Sequence, residues 1–353
     1  MSERLRGGQG RDSSGLRGWC AADAVAARTV LIVIPCLNEA AFIGGLLRQL
    51  LPFAESVGGR IVVADGGSTD GTVDIVRRFA AGHSAVICLH NPRRIQSAGV
   101  NLAVRKYGAG TVYVIRIDAH CTYPDDYCLR LIEEAEATGA GSVVVGMIAE
   151  GRGLIQGVNA AVQNSRIGNG GSRHRRMPSG SFVEHGHHAL MRTDVFNFVG
   201  GYDESFRCNE DAELDYRISQ SGERIWLTAR TVVTYHPRRT LMALFRQYFT
   251  YGRGRAQTVL KHKSRPVARQ ILVLLVLPAL LLSTFAFVTW WAAVPAAIWA
   301  AACLASGFAI AVRSRRPRLA LAGLSAMIIH GAWSLGFWRE VLAPGGTRSG
   351  SAS

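Results

Sequence analysis

Between Gln270 and Val312 the chain runs for 43 residues without one Lys, Arg, Asp or Glu. No other feature constrains the fold as strongly. A bilayer crossing takes about 20 apolar residues, so the stretch is long enough for two, and a helix buried in a soluble core would normally keep a polar face. Trp290 and Trp291 prefer the headgroup level and Pro295 favours a turn, which places the break there. A third apolar run covers Leu319 to Trp338. The pattern predicts a membrane domain over 269–340 with helices at 271–289, 294–312 and 319–338. Lys261, Lys263, Arg265 and Arg269 precede the first helix, and Arg313, Arg315, Arg316 and Arg318 separate the second from the third. By the positive-inside rule both clusters face the cytoplasm. The expectation is a multi-pass protein of the inner (plasma) membrane, with the part before residue 269 cytoplasmic and the C-terminal tail outside.

The 40 Lys and Arg against 25 Asp and Glu give a net charge of +15, in a chain that is 48% hydrophobic and 18% charged. That balance excludes a disordered polyelectrolyte, and the sparse cysteines exclude a disulfide scaffold. Much of the excess charge flanks the apolar segments, so anionic lipid is the expected partner and nucleic acid is not. The seven cysteines, odd in number and without CxxC spacing, read as reduced thiols. Residues 1–27, rich in Arg, Gly and Ser without an unbroken apolar core, read as a flexible, uncleaved tail, and 341–353 as another.

Residues 28–237 alternate β-branched runs with helical stretches, the pattern of an α/β domain. Strands are expected at Val30 to Pro35, Arg60 to Ala64 and Thr111 to Ile117, and helices at Glu39 to Leu51, Thr72 to Ala80 and 125–137. Ile155 to Ser179, with its glycines and an SRHRRM run, is expected to be a mobile loop. Residues 238–268 form a basic, aromatic interfacial segment in which Phe245, Tyr248, Phe249 and Tyr251 either lie along the bilayer or pack on the sheet. Ligands of open α/β sheets bind beyond the carboxyl ends of the strands, so Asn38, Asp65 and Asp118 should share one crevice.

Three motifs carry the chemistry. Ala64-Asp65-Gly66-Gly67-Ser68-Thr69-Asp70-Gly71 follows a strand and opens a helix, as a nucleotide-binding loop does, although it would equally serve as a turn that caps the helix. It is neither GxGxxG nor a phosphate loop. Asp118-Ala119-His120 ends a strand, and residues i and i+2 of an extended segment share a side, so carboxylate and imidazole suit one divalent ion. Glu210-Asp211 opens a helix, where the macrodipole favours acids, yet one of them aimed into the crevice would be a general base.

Taken in order, VIPCLNEAAFIGGLL, VVADGGSTDGT, NPRRIQSAGVN, IRIDAHCTYP, GGYDESFRCNEDAELDYR and RQYFTYGRGRA resemble the inverting family 2 glycosyltransferases over roughly residues 29–260, most closely the succinoglycan-biosynthesis branch with DAH in place of DxD. The resemblance implies a GT-A type fold, a mostly parallel open sheet with helices on both faces, followed by transmembrane helices. It assigns Pro35, Asn38, Glu39 and Asp65 to the nucleotide, and Arg94, Gln96 and Asn101 to the nucleotide-sugar pocket. Asp118 and His120 fall to the diphosphate and a Mn²⁺ or Mg²⁺ ion, and Asp211 to the base, supported by Glu210. Processive relatives carry QxxRW where this chain reads QYFTYGRGR, so a single sugar addition is expected. His187, His188 and His236 are expected to be structural, with the diphosphate or metal as their alternative role. The implied activity is transfer of a sugar, expected to be glucose, from a UDP-sugar to a lipid-linked saccharide in exopolysaccharide or envelope-glycan synthesis. The alternatives are a polyprenyl-phosphate glycosyltransferase and a sugar nucleotidyltransferase.

Overall fold

The computed structural model describes residues 30–171 and 180–343. The expected N-terminal tail, the SRHRRM run and the last ten residues lie outside the described residues. In chain order the first domain comprises β1 (Val30–Cys36), α1 (Ala40–Ser56), β2 (Arg60–Asp65), α2 (Thr72–Gly82), β3 (Val86–His90), α3 (Gln96–Tyr107), β4 (Tyr113–Arg116), α4 (Tyr127–Thr138) and β5 (Ser142–Ala149). It continues with α5 (Leu154–Gln163), α6 (Arg166–Asn169), β6 (Ser181–Val183), β7 (His187–Arg192), α7 (Thr193–Phe198), α8 (Glu210–Gln220) and β8 (Ile225–Tyr235).

The sequence VLIVIPC of β1 has no polar side chain to turn toward water, so it is stable only between two covered faces. That is where it lies, in an eight-stranded sheet of order β3-β2-β1-β4-β7-β5-β8-β6. β1 pairs in parallel with β2 and β4, β2 with β3, and β5 with β8, while β7 runs antiparallel between β4 and β5 and β6 is an antiparallel edge. One face buries Ile43 and Leu47 of α1 with Leu131 and Ile132 of α4. The other buries Val100 and Val104 of α3, Phe196 of α7, and Leu214 and Ile218 of α8. Six free thiols among the described residues carry no disulfide.

The expected loop from Ile155 onward is instead helical up to Asn169. Val158 and Val162, four residues apart on one face of α5, pack against the C-terminal helices, and that apolar stripe outweighs the glycines. The C-terminal region consists of α9 (Leu241–His262), α10 (Ala268–Leu274), α11 (Val276–Ser283), α12 (Val294–Ser314) and α13 (Ala322–Leu342), with 3-10 turns at Trp290–Ala293 and Pro317–Leu321. Residues Trp290–Ser314 and Pro317–Leu342 are long and apolar enough to cross a membrane. Ala268–Ser283, where a first span was expected over 271–289, is a shorter apolar helix. At about 1.5 Å per residue it reaches roughly 24 Å against a hydrocarbon core of about 30 Å. Ser283 and Thr284 end it by donating hydroxyl bonds back to the Leu280 and Leu281 carbonyls.

Candidate active site

Two loops at the carboxyl ends of β1 and β2 brace each other. Asn38 N–H donates to Ser68 Oγ at 2.8 Å, and Thr69 N–H donates to Asn38 Oδ1 at 2.9 Å. Glu39 N–H donates to Thr72 Oγ1 at 2.9 Å and Ala40 N–H to Asp70 Oδ2 at 3.0 Å. Asp65 turns its buried carboxylate into its own loop, accepting from the N–H groups of Gly67 and Ser68 and from the Ser68 hydroxyl. Asn38 and Asp65 thus shape the crevice rather than line it.

Pro35, Glu39, Arg94, Gln96, Asp118 and His120 line a single cavity of about 210 Å³, together with Ala64 and Gly66 on either side of Asp65. Gln96 Nε2 donates to Asp118 Oδ1 at 2.8 Å, and His120 Nδ1 lies 3.0 Å from Glu39 Oε1. Asn101 is elsewhere. It is buried, and its amide exchanges hydrogen bonds with the backbone of Tyr202, holding the loop before α8. Gly201 in that loop has φ +69°, and a Cβ there would stand 2.6 Å from Asn101 Oδ1, so the turn requires glycine.

The acids meet on Arg116, at the end of β4. Its Nη1 donates to Asp211 Oδ1 at 2.5 Å and to the Tyr202 hydroxyl at 3.1 Å, and lies 3.6 Å from Glu210 Oε1. Its Nε is 3.4 Å from Asp118 Oδ1. A buried guanidinium persists only when paired, and here it draws a strand-end acid and a helix-start acid into one place. His187 stands between the same two acids, Nε2 3.6 Å from Asp118 Oδ2 and Nδ1 3.7 Å from Asp211 Oδ2. His188 is fully buried beneath them, with Nδ1 2.7 Å from the Tyr202 hydroxyl and Nε2 2.7 Å from Asp215 Oδ1. His236 lies against the Glu150 carbonyl instead. Position in the chain could not separate these three histidines. An Arg among the isoleucines of IRID was the available signal for the hub, because an ionisable side chain inside a buried strand needs acidic partners.

Burial would raise the Asp211 carboxyl, but Arg116, then His188, His187 and His185, hold it well below the usual carboxylate range. Burial also opposes ionisation of Asp118, and Arg116, His187 and His120 again prevail and lower it. Glu210 goes the other way: burial, then the Asp211 charge, push its carboxyl up to about 6. Two adjacent acids therefore differ widely in proton affinity, Asp211 ionising far more readily than Glu210.

The donor set around Asp118 suits a divalent ion. A carboxylate oxygen and an imidazole nitrogen face one cavity, and Glu39 holds Nδ1 of His120, the orientation in which a metal-binding histidine presents Nε2. Among the described residues no group of three or more His, Cys, Asp or Glu is arranged to hold a metal ion. Such an ion would be completed by oxygens that the protein does not supply.

An open, mostly parallel α/β sheet with a cavity at the carboxyl ends of its strands is the architecture of a GT-A glycosyltransferase. The chain matches glycosyl transferase family 2 over residues 31–200. It is 55% identical over 320 residues to the succinoglycan biosynthesis protein ExoA of Rhizobium meliloti (strain 1021), covering 91% of this chain and 97% of that protein. It belongs to glycosyl transferase family 2. The mannosyltransferase PcManGT from Pyrobaculum calidifontis, solved with GDP-Man and Mn²⁺, shares the fold at a TM-score of 0.54 and 19% identity, over 92% of this chain and 94% of that one.

Proposed function

We propose that this chain is an inverting glycosyltransferase of succinoglycan-type exopolysaccharide synthesis. It transfers one sugar, glucose, from a UDP-sugar to a lipid-linked saccharide at the cytoplasmic face of the inner membrane. The observation that carries the reading is the meeting of Asp118 and Asp211 on Arg116, which sets a diphosphate-side acid beside a base. The 55% identity to ExoA supports the polysaccharide assignment.

In this reading the donor's nucleoside diphosphate occupies the cavity beside Arg94 and Gln96, with the uridine against Pro35 and the braced loops of Asn38 and Asp65. Asp118 and His120 would hold a Mn²⁺ or Mg²⁺ ion, which when bound supplies positive charge to the leaving diphosphate. Asp211, kept ionised by Arg116, accepts the proton of the acceptor hydroxyl. The hydroxyl oxygen then bonds to the anomeric carbon as the carbon–oxygen bond to UDP breaks on the opposite face, and the configuration inverts. Glu210, whose carboxyl burial and the Asp211 charge push up to about 6, flanks the base at the start of the same helix.

The test is incubation of membranes containing the full chain with a panel of radiolabelled nucleotide sugars, with and without Mn²⁺, followed by analysis of the lipid extract. Label from UDP-glucose in the lipid fraction, with release of UDP, is expected. Release of inorganic diphosphate from a nucleoside triphosphate would replace the reading with a nucleotidyltransferase, and label on polyprenyl phosphate without a saccharide would change the acceptor.

A further inference from the structure

Helix α13 is long and apolar enough for a transmembrane span, but half of it is buried inside the protein, against 11% of the preceding apolar segment. What buries it is α9 together with α5 and α6 of the catalytic domain, and the contacts run from one end to the other. Near its start Ser325 donates to Asn159 of α5, and at mid-length His330 Nε2 lies 2.8 Å from the Ile167 carbonyl of α6. In its last turns Glu340, almost fully buried, accepts from Arg253 Nε at 2.7 Å and from Gln257 at 3.0 Å, both on α9. Between these points α13 and α9 touch backbone to backbone. A Cβ on Gly336 would stand 2.0 Å from the Phe249 carbonyl oxygen, and one on Gly252 2.0 Å from that of Trp333.

Helix α9 is in turn fastened along its length to the domain that holds the site. Gln247 donates to the Tyr235 hydroxyl of β8, Asn209 donates to Thr258, and Lys261 bridges Asp203 and Glu213. A helix held at its start and middle by the catalytic domain, and at its end by a helix fastened to that domain, cannot leave it for the opposite leaflet. If α13 stood along the membrane normal, α9 would stand beside it and carry Arg246, Arg253 and Arg255 to hydrocarbon depth, where charged side chains are strongly disfavoured.

We infer that α13 does not cross the bilayer but lies along the cytoplasmic leaflet, with α12 on its outer side as the element sunk among the acyl chains. This rests on the membrane attachment proposed above and deepens it. Helix α12 is joined to α13 by the close approach of Gly307 to the Gly323 backbone and by the Trp299 to His330 contact. Its remaining surface exposes Ile298, Leu304, Phe308 and Val312, and the turn before it exposes Phe287 and Trp291. The basic turn Arg313 to Arg318 joins the two helices. The partner is a bilayer containing anionic phospholipid: apolar side chains enter it, and arginines meet its headgroups.

The test places a single added cysteine at Thr289, Arg316 or Leu342 of the full chain, in cells whose outer barrier has been removed, and applies a membrane-impermeant maleimide. The unaltered chain is the control. None of Thr289→Cys, Arg316→Cys and Leu342→Cys should label above that control until the membrane is opened, and all three should label above it then. Labelling of Arg316→Cys or Leu342→Cys in intact cells would mean that α13 crosses, and labelling of Thr289→Cys that the hairpin before α12 does. Either result overturns the inference. Sugar transfer measured on the same membranes is read separately, so loss of the proposed activity and failure of the topology are told apart. Chain found wholly in the wash fraction would remove the membrane attachment itself.

Discussion

The Glu210 carboxyl sets up a stability measurement whose sign is fixed by its surroundings. Burial, followed by the Asp211 charge, raises it from 4.5 to about 6, so the folded protein favours the neutral form. The stability this contributes is fully present below pH 4.5 and is lost as pH climbs through 6. Above that, ionised Glu210 weakens the fold by about 2 kcal/mol, since each tenfold change in proton affinity is worth about 1.4 kcal/mol. Glu210→Gln puts a permanently neutral isostere in its place. At pH 8 the variant should be more stable than the unaltered protein by up to about 2 kcal/mol, and at pH 4.5 the difference should vanish. Asp211, held low, has the opposite linkage: its contribution is present above the unfolded value and is lost as pH falls through the folded one. Thermal denaturation of both proteins in detergent, scanned from pH 4.5 to 8, checks this. A stability difference that is the same at both ends of the range, or that favours the unaltered protein at pH 8, would show that Glu210 does not occupy a charge-disfavouring site.

Asp211→Asn should lower transfer by about 10²–10⁴-fold while UDP binding is retained, since general-base assistance has that size, and turnover assays paired with calorimetry distinguish the two effects. Asp118→Ala should abolish the Mn²⁺ dependence of UDP binding, measured by calorimetry with and without the ion. Arg116→Gln leaves buried acids without their cation and should destabilise the protein by about 3–5 kcal/mol, read from denaturant unfolding. Gly336→Leu drives a side chain into the Phe249 carbonyl and should lower the melting temperature, whereas Leu324→Ala, at an exposed position on the same helix, should leave it nearly unchanged.

Apolar, β-branched runs announced three of the eight strands, β1, β2 and β4, because a chain such as VLIVIPC can be covered in few other ways. The expected helices after β1 and β2 fall within two to five residues of their observed ends, since Gly, Ser and Asp mark where the backbone must turn. The ordered motifs were equally legible, as was the family they indicate. The motif residues did not reveal their own duties. Asn38 and Asp65 face their loops, Asn101 holds the Tyr202 loop, and Glu39 steadies His120, because a side chain's partner depends on which loop folds across it.

Composition by itself determined that this protein carries two kinds of surface, a sheet domain with acids at strand ends and an uncharged C-terminal region that must be shielded from water. Tertiary structure alone decided that Arg116 gathers Asp118, Glu210 and Asp211, the last of them 95 residues away from it in the chain. It alone decided, too, that α13 spends one face on α9 rather than on lipid. Apolar residues state only that water is to be excluded, and the identity of what excludes it is settled when distant segments pack.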